Sequence, residues 1–142
     1  MEIDFSKYNG AGNDFILIDD RDNLINDNKL LISYLCDRHF GVGADGLIIL
    51  KESNNCDFEI LHYTSDGNLG SLCGNGSRCA VLFAYNKDII GRKTVFNAFD
   101  GIHSAEILDN GLIKMEMKVN SDIVSNSYGT FIDTGSPHLV IE

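Results

Sequence analysis

The stretch Ser71-Leu-Cys-Gly-Asn-Gly-Ser-Arg-Cys-Ala-Val-Leu-Phe-Ala-Tyr-Asn86 decides how the chain is read. It follows a turn-forming run, Ser65-Asp-Gly-Asn68, and predicts a helix from Gly74 or Asn75 to Asn86, with Gly91 beyond. Residues 79–84 are apolar without a break, and so apolar on every side of a helix. Such a helix is enclosed by protein instead of lying on a surface.

What surrounds it reads as short strands. Ile3 and Phe5 alternate in an opening strand over 2–8, and 10–14 is a turn. A second strand covers 15–19. The Asp- and Asn-rich loop 20–28 offers caps, between Asn26 and Asn28, for a helix to about Arg38 that Gly41 stops. Buried strands follow at 47–50 and 58–63. Beyond the central helix, strands at 93–99, 102–108 and 112–119 are joined at Asp100-Gly101 and Asn110-Gly111, both hairpin signals. Residues 120–128 form a polar loop. A strand near 129–134, a turn over 135–138 and an apolar 139–141 complete the sequence. The expected fold class is α+β: short, mostly antiparallel strands wrapped around a central helix.

The 142 residues suffice for one domain with a hydrophobic core. A net charge of -10 argues against a nucleic-acid or anionic-membrane surface. No apolar run approaches the ~20 residues of a membrane helix, and the opening residues lack the pattern of a signal peptide. The expected compartment is therefore the cytoplasm, where Cys36, Cys56, Cys73 and Cys79 stay as free thiols. They include no CxxC pair and predict no metal site.

Gly41-Val-Gly-Ala-Asp-Gly46 matches GxGxxG, but a helix precedes it and a strand follows, the reverse of a dinucleotide site. Asn75-Gly-Ser77 fits a glycosylation sequon by chance, and His39, His62, His103 and His138, each isolated, read as packing or surface residues. Cys73 stands apart because it falls at the start of the central helix. Unpaired amides and the positive dipole end favour a thiolate there and can hold a carboxylate. Gly74 and Gly76 let the backbone approach a ligand, and Asn75 adds an amide. A thiolate beside a carboxylate cradle suits chemistry at the α-carbon of an amino acid; a capping turn with a bystander cysteine is the competing reading.

Five segments, in order along the chain, resemble the diaminopimelate epimerase family. They are Lys7-Tyr-Asn-Gly-Ala-Gly-Asn-Asp-Phe15, Leu35-Cys-Asp-Arg-His-Phe-Gly-Val-Gly-Ala-Asp-Gly46, Ser65-Asp-Gly67, Cys73-Gly-Asn-Gly-Ser-Arg-Cys79 and Gly135-Ser-Pro-His138. The resemblance implies a cofactor-free isomerase that interconverts LL- and meso-diaminopimelate for lysine and peptidoglycan precursors, using two cysteines on opposite faces of the α-carbon. It implies that Cys73 is catalytic and that Asn13, Gly74 and Asn75 bind substrate. Thr64 and Ser136 stand where many relatives carry asparagines that recognise the distal end of the substrate.

The resemblance also sets expectations for organisation. Residues 1–118 correspond to an N-terminal epimerase-like domain lacking its closing strand, and 119–142 to the first strands of a truncated second domain. The family's second cysteine lies in that second domain, and no cysteine follows Cys79 here. The chain is thus expected to be a truncated gene product or an excised piece. The expected partner is a small molecule, diaminopimelate, with a homodimer as the assembly. The alternatives are an inactive fragment that binds ligand or self-associates, and a related amino-acid racemase or isomerase.

Overall fold

The structure is a computed structural model that describes residues 2–25, 28–119 and 121–141. The expected cap at Asn26 and the end of the chain at Glu142 lie outside the described residues. Seven strands form one sheet in sequence order: β1 (Ser6–Gly10), β2 (Asn13–Asp19), β3 (Gly46–Lys51), β4 (Phe58–Thr64), β5 (Lys93–Ala98), β6 (Gly101–Ile107) and β7 (Ile113–Met115). Helix α1 (Lys29–Cys36) links β2 to β3, and α2 (Gly74–Asn86) links β4 to β5. Those two pairs are parallel and the others antiparallel. A second, antiparallel sheet holds β8 (Val124–Asn126), β9 (Gly129–Asp133) and β10 (Pro137–Val140).

The side-chain period of two on β2 and β3 divides the core. Phe15, Leu17, Ile48 and Leu50 face α2, with Phe58, Phe83 and Phe96 in the same cluster. Ile16, Ile18, Leu47 and Ile49 face the opposite way and pack with Ile32 and Cys36 of α1. These strands are buried on both faces, so their sequence is continuously apolar. Helix α2 touches both edge strands, β1 and β7, as well as β2, β3 and β4 between them. The sheet therefore curls around α2 as a half-barrel, and the central helix is enclosed as its apolar run requires.

The structure adjusts several boundaries. The opening strand is Ser6–Gly10, and the turn after it is only Ala11-Gly12. Both turn residues have positive φ, 53° and 95°, the geometry of a tight two-residue hairpin. Helix α1 ends at Cys36, before Arg38, because Asp37 is extended and its carboxylate accepts the His39 and Phe40 amides at 2.7 and 2.8 Å. Asn28 caps its start, accepting the Leu31 amide at 2.8 Å. Strand β7 covers only Ile113–Met115 of the expected 112–119. The expected loop 120–128 contains β8. Pro137 and His138 belong to β10, paired with Asp133 and Ile132, so the turn contracts to 134–136.

Candidate functional site

Cys73 is the N-cap of α2, extended at φ -114° and ψ 109°. Its Sγ accepts the Gly76 amide at 3.4 Å, and its carbonyl accepts the Ser77 amide at 2.8 Å. A helix begins with four amides that lack intrahelical acceptors. Here the Cys73 side chain satisfies one of them, that of Gly76, while the Ser77 amide makes the first intrahelical bond to the Cys73 carbonyl. The amides of Gly74 and Asn75 have no protein acceptor among the described residues.

The first turn is seated by close packing. A Cβ added to Gly76 would lie 2.9 Å from Ile48 Cδ1, and one added to Gly10 would lie 3.0 Å from the Asn75 carbonyl oxygen. At Gly74 the nearest atom would be the Arg78 guanidinium, at 3.6 Å. The helix is thus pressed onto β1 and β3 from behind, while its leading residue opens outward.

It opens onto a cleft of about 400 Å³. Cys73, Gly74 and Asn75 form one wall, His62, Thr64, Ser71 and Leu72 the floor, and Met117, Thr134, Ser136 and His138 the side toward the second sheet. A larger groove, about 600 Å³, crosses β5–β7 around Asp57, Lys93 and Glu116 and holds none of the residues singled out from the sequence. A third, about 260 Å³, reaches Cys73 from its other side. It lies where β4 and β5 part after pairing only at Phe58–Phe96 and Glu59–Asn97.

Asn13 stands at the start of β2 and joins the site through Asn75, whose Nδ2 donates to Asn13 Oδ1 at 2.7 Å. Asn13 Nδ2 donates to Asp45 Oδ2 at 3.3 Å, and the Arg78 guanidinium donates to Asn75 Oδ1. Arg38 bridges Asp14 and Asp45, at 2.7 and 2.8 Å, and Lys7 bonds Asp14 at 2.9 Å. These two cations hold the Asp14 carboxyl well below the usual range, Arg38 more than Lys7. The glycine-rich 41–46 segment is thereby tied to the β1–β2 hairpin, a structural use of the GxGxxG pattern.

The hydroxyls of Thr64 and Ser136 are committed within the protein. Thr64 donates to Asp66 at 2.5 Å; Ser136 donates to the Leu72 carbonyl at 2.9 Å and contacts Ser71 Oγ at 2.6 Å. His62 was passed over as an isolated histidine, yet it forms part of the cleft floor. Its Nδ1 lies 3.0 Å from the Ser71 carbonyl, which assigns the proton to Nδ1. Burial pushes its pKa down, with the Ser71 carbonyl opposing. The signal was present: Phe58, Ile60 and His62 alternate on β4, so His62 continues the face that meets α2.

Cys36 and Cys79 are buried, which pushes the Cys36 thiol up to about 11 and raises that of Cys79. Cys56 precedes β4, at the end opposite Thr64 and the cleft. No cluster of three metal-ligating side chains occurs among the described residues, and no helix there is long and apolar enough to cross a membrane.

A family model described as diaminopimelate epimerase matches residues 5–122. The chain is 48% identical over 135 residues to the diaminopimelate epimerase of Flavobacterium psychrophilum, covering 94% of this chain and 53% of that protein. It is 38% identical to that of Aquifex aeolicus, covering 98% of this chain and 57% of that protein. The chain spans about half the length of the curated relatives it matches. Among solved structures it resembles the Bacillus anthracis phenazine biosynthesis protein of the PhzF family, with a TM-score of 0.66 at 18% identity over 84% of this chain and 42% of that one. That last likeness is one of fold.

Proposed function

The chain belongs to the diaminopimelate epimerase family, and from that premise we propose that it supplies the Cys73 half of a cofactor-independent, two-cysteine interconversion of LL- and meso-diaminopimelate. The observation that carries this reading is Cys73 at the mouth of the cleft, capping α2 beside the two free amides of Gly74 and Asn75. An amino-acid α-proton is weakly acidic, so its removal needs a positioned base and stabilisation of the charge that develops. In this mechanism the Cys73 thiolate takes the α-proton. The carboxylate, which gains charge as the C–H bond breaks, lies against the amides of Gly74 and Asn75 and the side chain of Asn75, with Asn13 behind it. A second thiol on the opposite face returns a proton to the α-carbon, so the bond is remade with inverted configuration.

Of the other cysteines, Cys36 and Cys79 are buried, Cys56 lies at the far end of β4, and none follows Cys79. The second thiol belongs to a second domain of the kind that residues 119–142 begin, with residues 1–118 as the first domain. In this reading a further strand of that first domain closes the slot where β4 and β5 part. The same reading carries a cytoplasmic setting, diaminopimelate as the small-molecule partner and a homodimer as the assembly.

Incubation with LL-diaminopimelate in deuterated water tests the proposal. Deuterium enters the α-position with the wild-type chain and fails to enter with Cys73→Ser. Exchange that survives Cys73→Ser overturns the role of Cys73. The burial of Cys36 and Cys79 and the remoteness of Cys56, which leave no second thiol facing the cleft among the described residues, favour a second reading, ligand binding without turnover. Saturable binding with neither deuterium uptake nor meso product would establish it.

A further inference from the structure

We infer that Arg78 and Asp45 are positioning residues that fix the direction of the Asn75 and Asn13 side-chain amides, so that this corner of the cleft offers donors alone and selects a carboxylate. The inference rests on the substrate-binding role proposed above for Asn13 and Asn75.

The four side chains form one line of hydrogen bonds. Arg78 donates to Asn75 Oδ1, Asn75 Nδ2 to Asn13 Oδ1 at 2.7 Å, and Asn13 Nδ2 to Asp45 Oδ2 at 3.3 Å. The ends of the line decide its direction. A guanidinium has no acceptor, and an ionised carboxylate has no donor. If Asn75 alone turned over, its NH2 would meet the guanidinium and its carbonyl would meet that of Asn13. If both turned over, the Asn13 carbonyl would face the Asp45 carboxylate. Every arrangement but the observed one sets like against like at two points in the line.

The far end is itself anchored. Asp45 Oδ1 accepts Arg38 at 2.8 Å, and its Oδ2 also accepts the Asp14 amide at 3.2 Å. The near end is anchored by α2, which carries both Arg78 and Asn75. Each asparagine NH2 has two hydrogens and spends one inside the line. Asn75, on the cleft wall, keeps one N–H beside the two free backbone amides and has its oxygen turned away toward Arg78. An amide free to turn would present an oxygen there in part of its population, and an oxygen repels a carboxylate.

The full chain, labelled with nitrogen-15, tests this through the side-chain NH2 resonances of Asn13 and Asn75. Asp45→Asn keeps the shape of the side chain but can donate, and Arg78→Met keeps its length but cannot. Each variant is expected to move the NH2 pairs of both asparagines, including the one it does not touch, while the backbone spectrum stays folded. Each is also expected to raise the Kd for diaminopimelate by about tenfold, the effect of one charge-assisted hydrogen bond. The inference is overturned if Asp45→Asn leaves the Asn75 pair in place and Arg78→Met leaves the Asn13 pair in place. A wild-type chain that binds no diaminopimelate defeats the substrate reading instead, and the resonances still decide whether the line exists.

Discussion

Gly76→Ala sets two opposed effects against each other at the seat of the site. Alanine is favoured over glycine within a helix by about 1 kcal/mol. Gly76 lies in the first turn of α2, where less of that gain is realised. Against it stands the packing. The new Cβ would lie 2.9 Å from Ile48 Cδ1 and 3.4 Å from two atoms of the Phe15 ring, and carbon atoms rest comfortably only near 3.5–4.0 Å. Ile48 is fully buried and Phe15 nearly so, so neither side chain has open space to yield into. Overpacking of this kind costs about 1–3 kcal/mol. The net expectation is a loss of about 1 kcal/mol, a fall in Tm of about 3 °C for a chain of this size. Because the Gly76 amide donates to Cys73 Sγ, a displaced first turn should also change the rate at which iodoacetamide alkylates Cys73. Differential scanning calorimetry measures the first effect and timed mass spectrometry the second. A rise in Tm would refute the reasoning, since it would mean that the core under Gly76 gives way and the propensity gain prevails.

Burial separates the four thiols. In brief alkylation of the native chain at mildly alkaline pH, Cys73 and Cys56 should react well before Cys36 and Cys79, and all four should react in denaturant. Early labelling of Cys79 in the native chain would contradict its burial against β1, where a Cβ added to Gly10 would lie 3.1 Å from Cys79 Sγ. The carboxyls of Asp14 and Asp19 lie below their ordinary value of 3.8, held down by Arg38 and then Lys7 in one case and by Arg21 in the other. A carboxyl depressed by folding adds stability in full above its unfolded pKa, and that stability is lost as the pH falls through the folded value. Urea unfolding from about pH 6 down to about pH 3 should therefore show an acid limb that Asp19→Asn makes shallower, and an unchanged slope would refute the ion pair's contribution.

The parts of the fold that could be read in advance are those whose cause is local. The helix Gly74–Asn86 matched its expected limits because an uninterrupted apolar run, a glycine-rich start and a polar end all act within it. The hairpins near Asp100-Gly101 and Asn110-Gly111 were legible for the same reason, although the first turns one residue earlier than expected, at Phe99-Asp100, with Gly101 already in β6 and paired with Ala98. Features decided by distant partners were not. The parallel pairing of β2 with β3 follows from α1 crossing between them, while the residues of either strand would suit both orientations. The end of α1 depended on the Asp37 carboxylate turning back onto two amides, which outweighed a helical periodicity that continued to Arg38.

The candidate site divides in the same way. Cys73, Gly74 and Asn75 were visible because one helix start contains all of them. Asn13 was visible through its motif alone, and its place behind Asn75 is a product of the sheet curling until β1 and β2 reach the first turn of α2. His62 was missed when judged as a lone histidine, yet the alternation of Phe58, Ile60 and His62 had already committed it to the helix-facing side. A polar residue that continues an apolar stripe toward a helix start is directed at the place where that helix leaves its amides unpaired, and such a residue merits reading with the helix instead of alone.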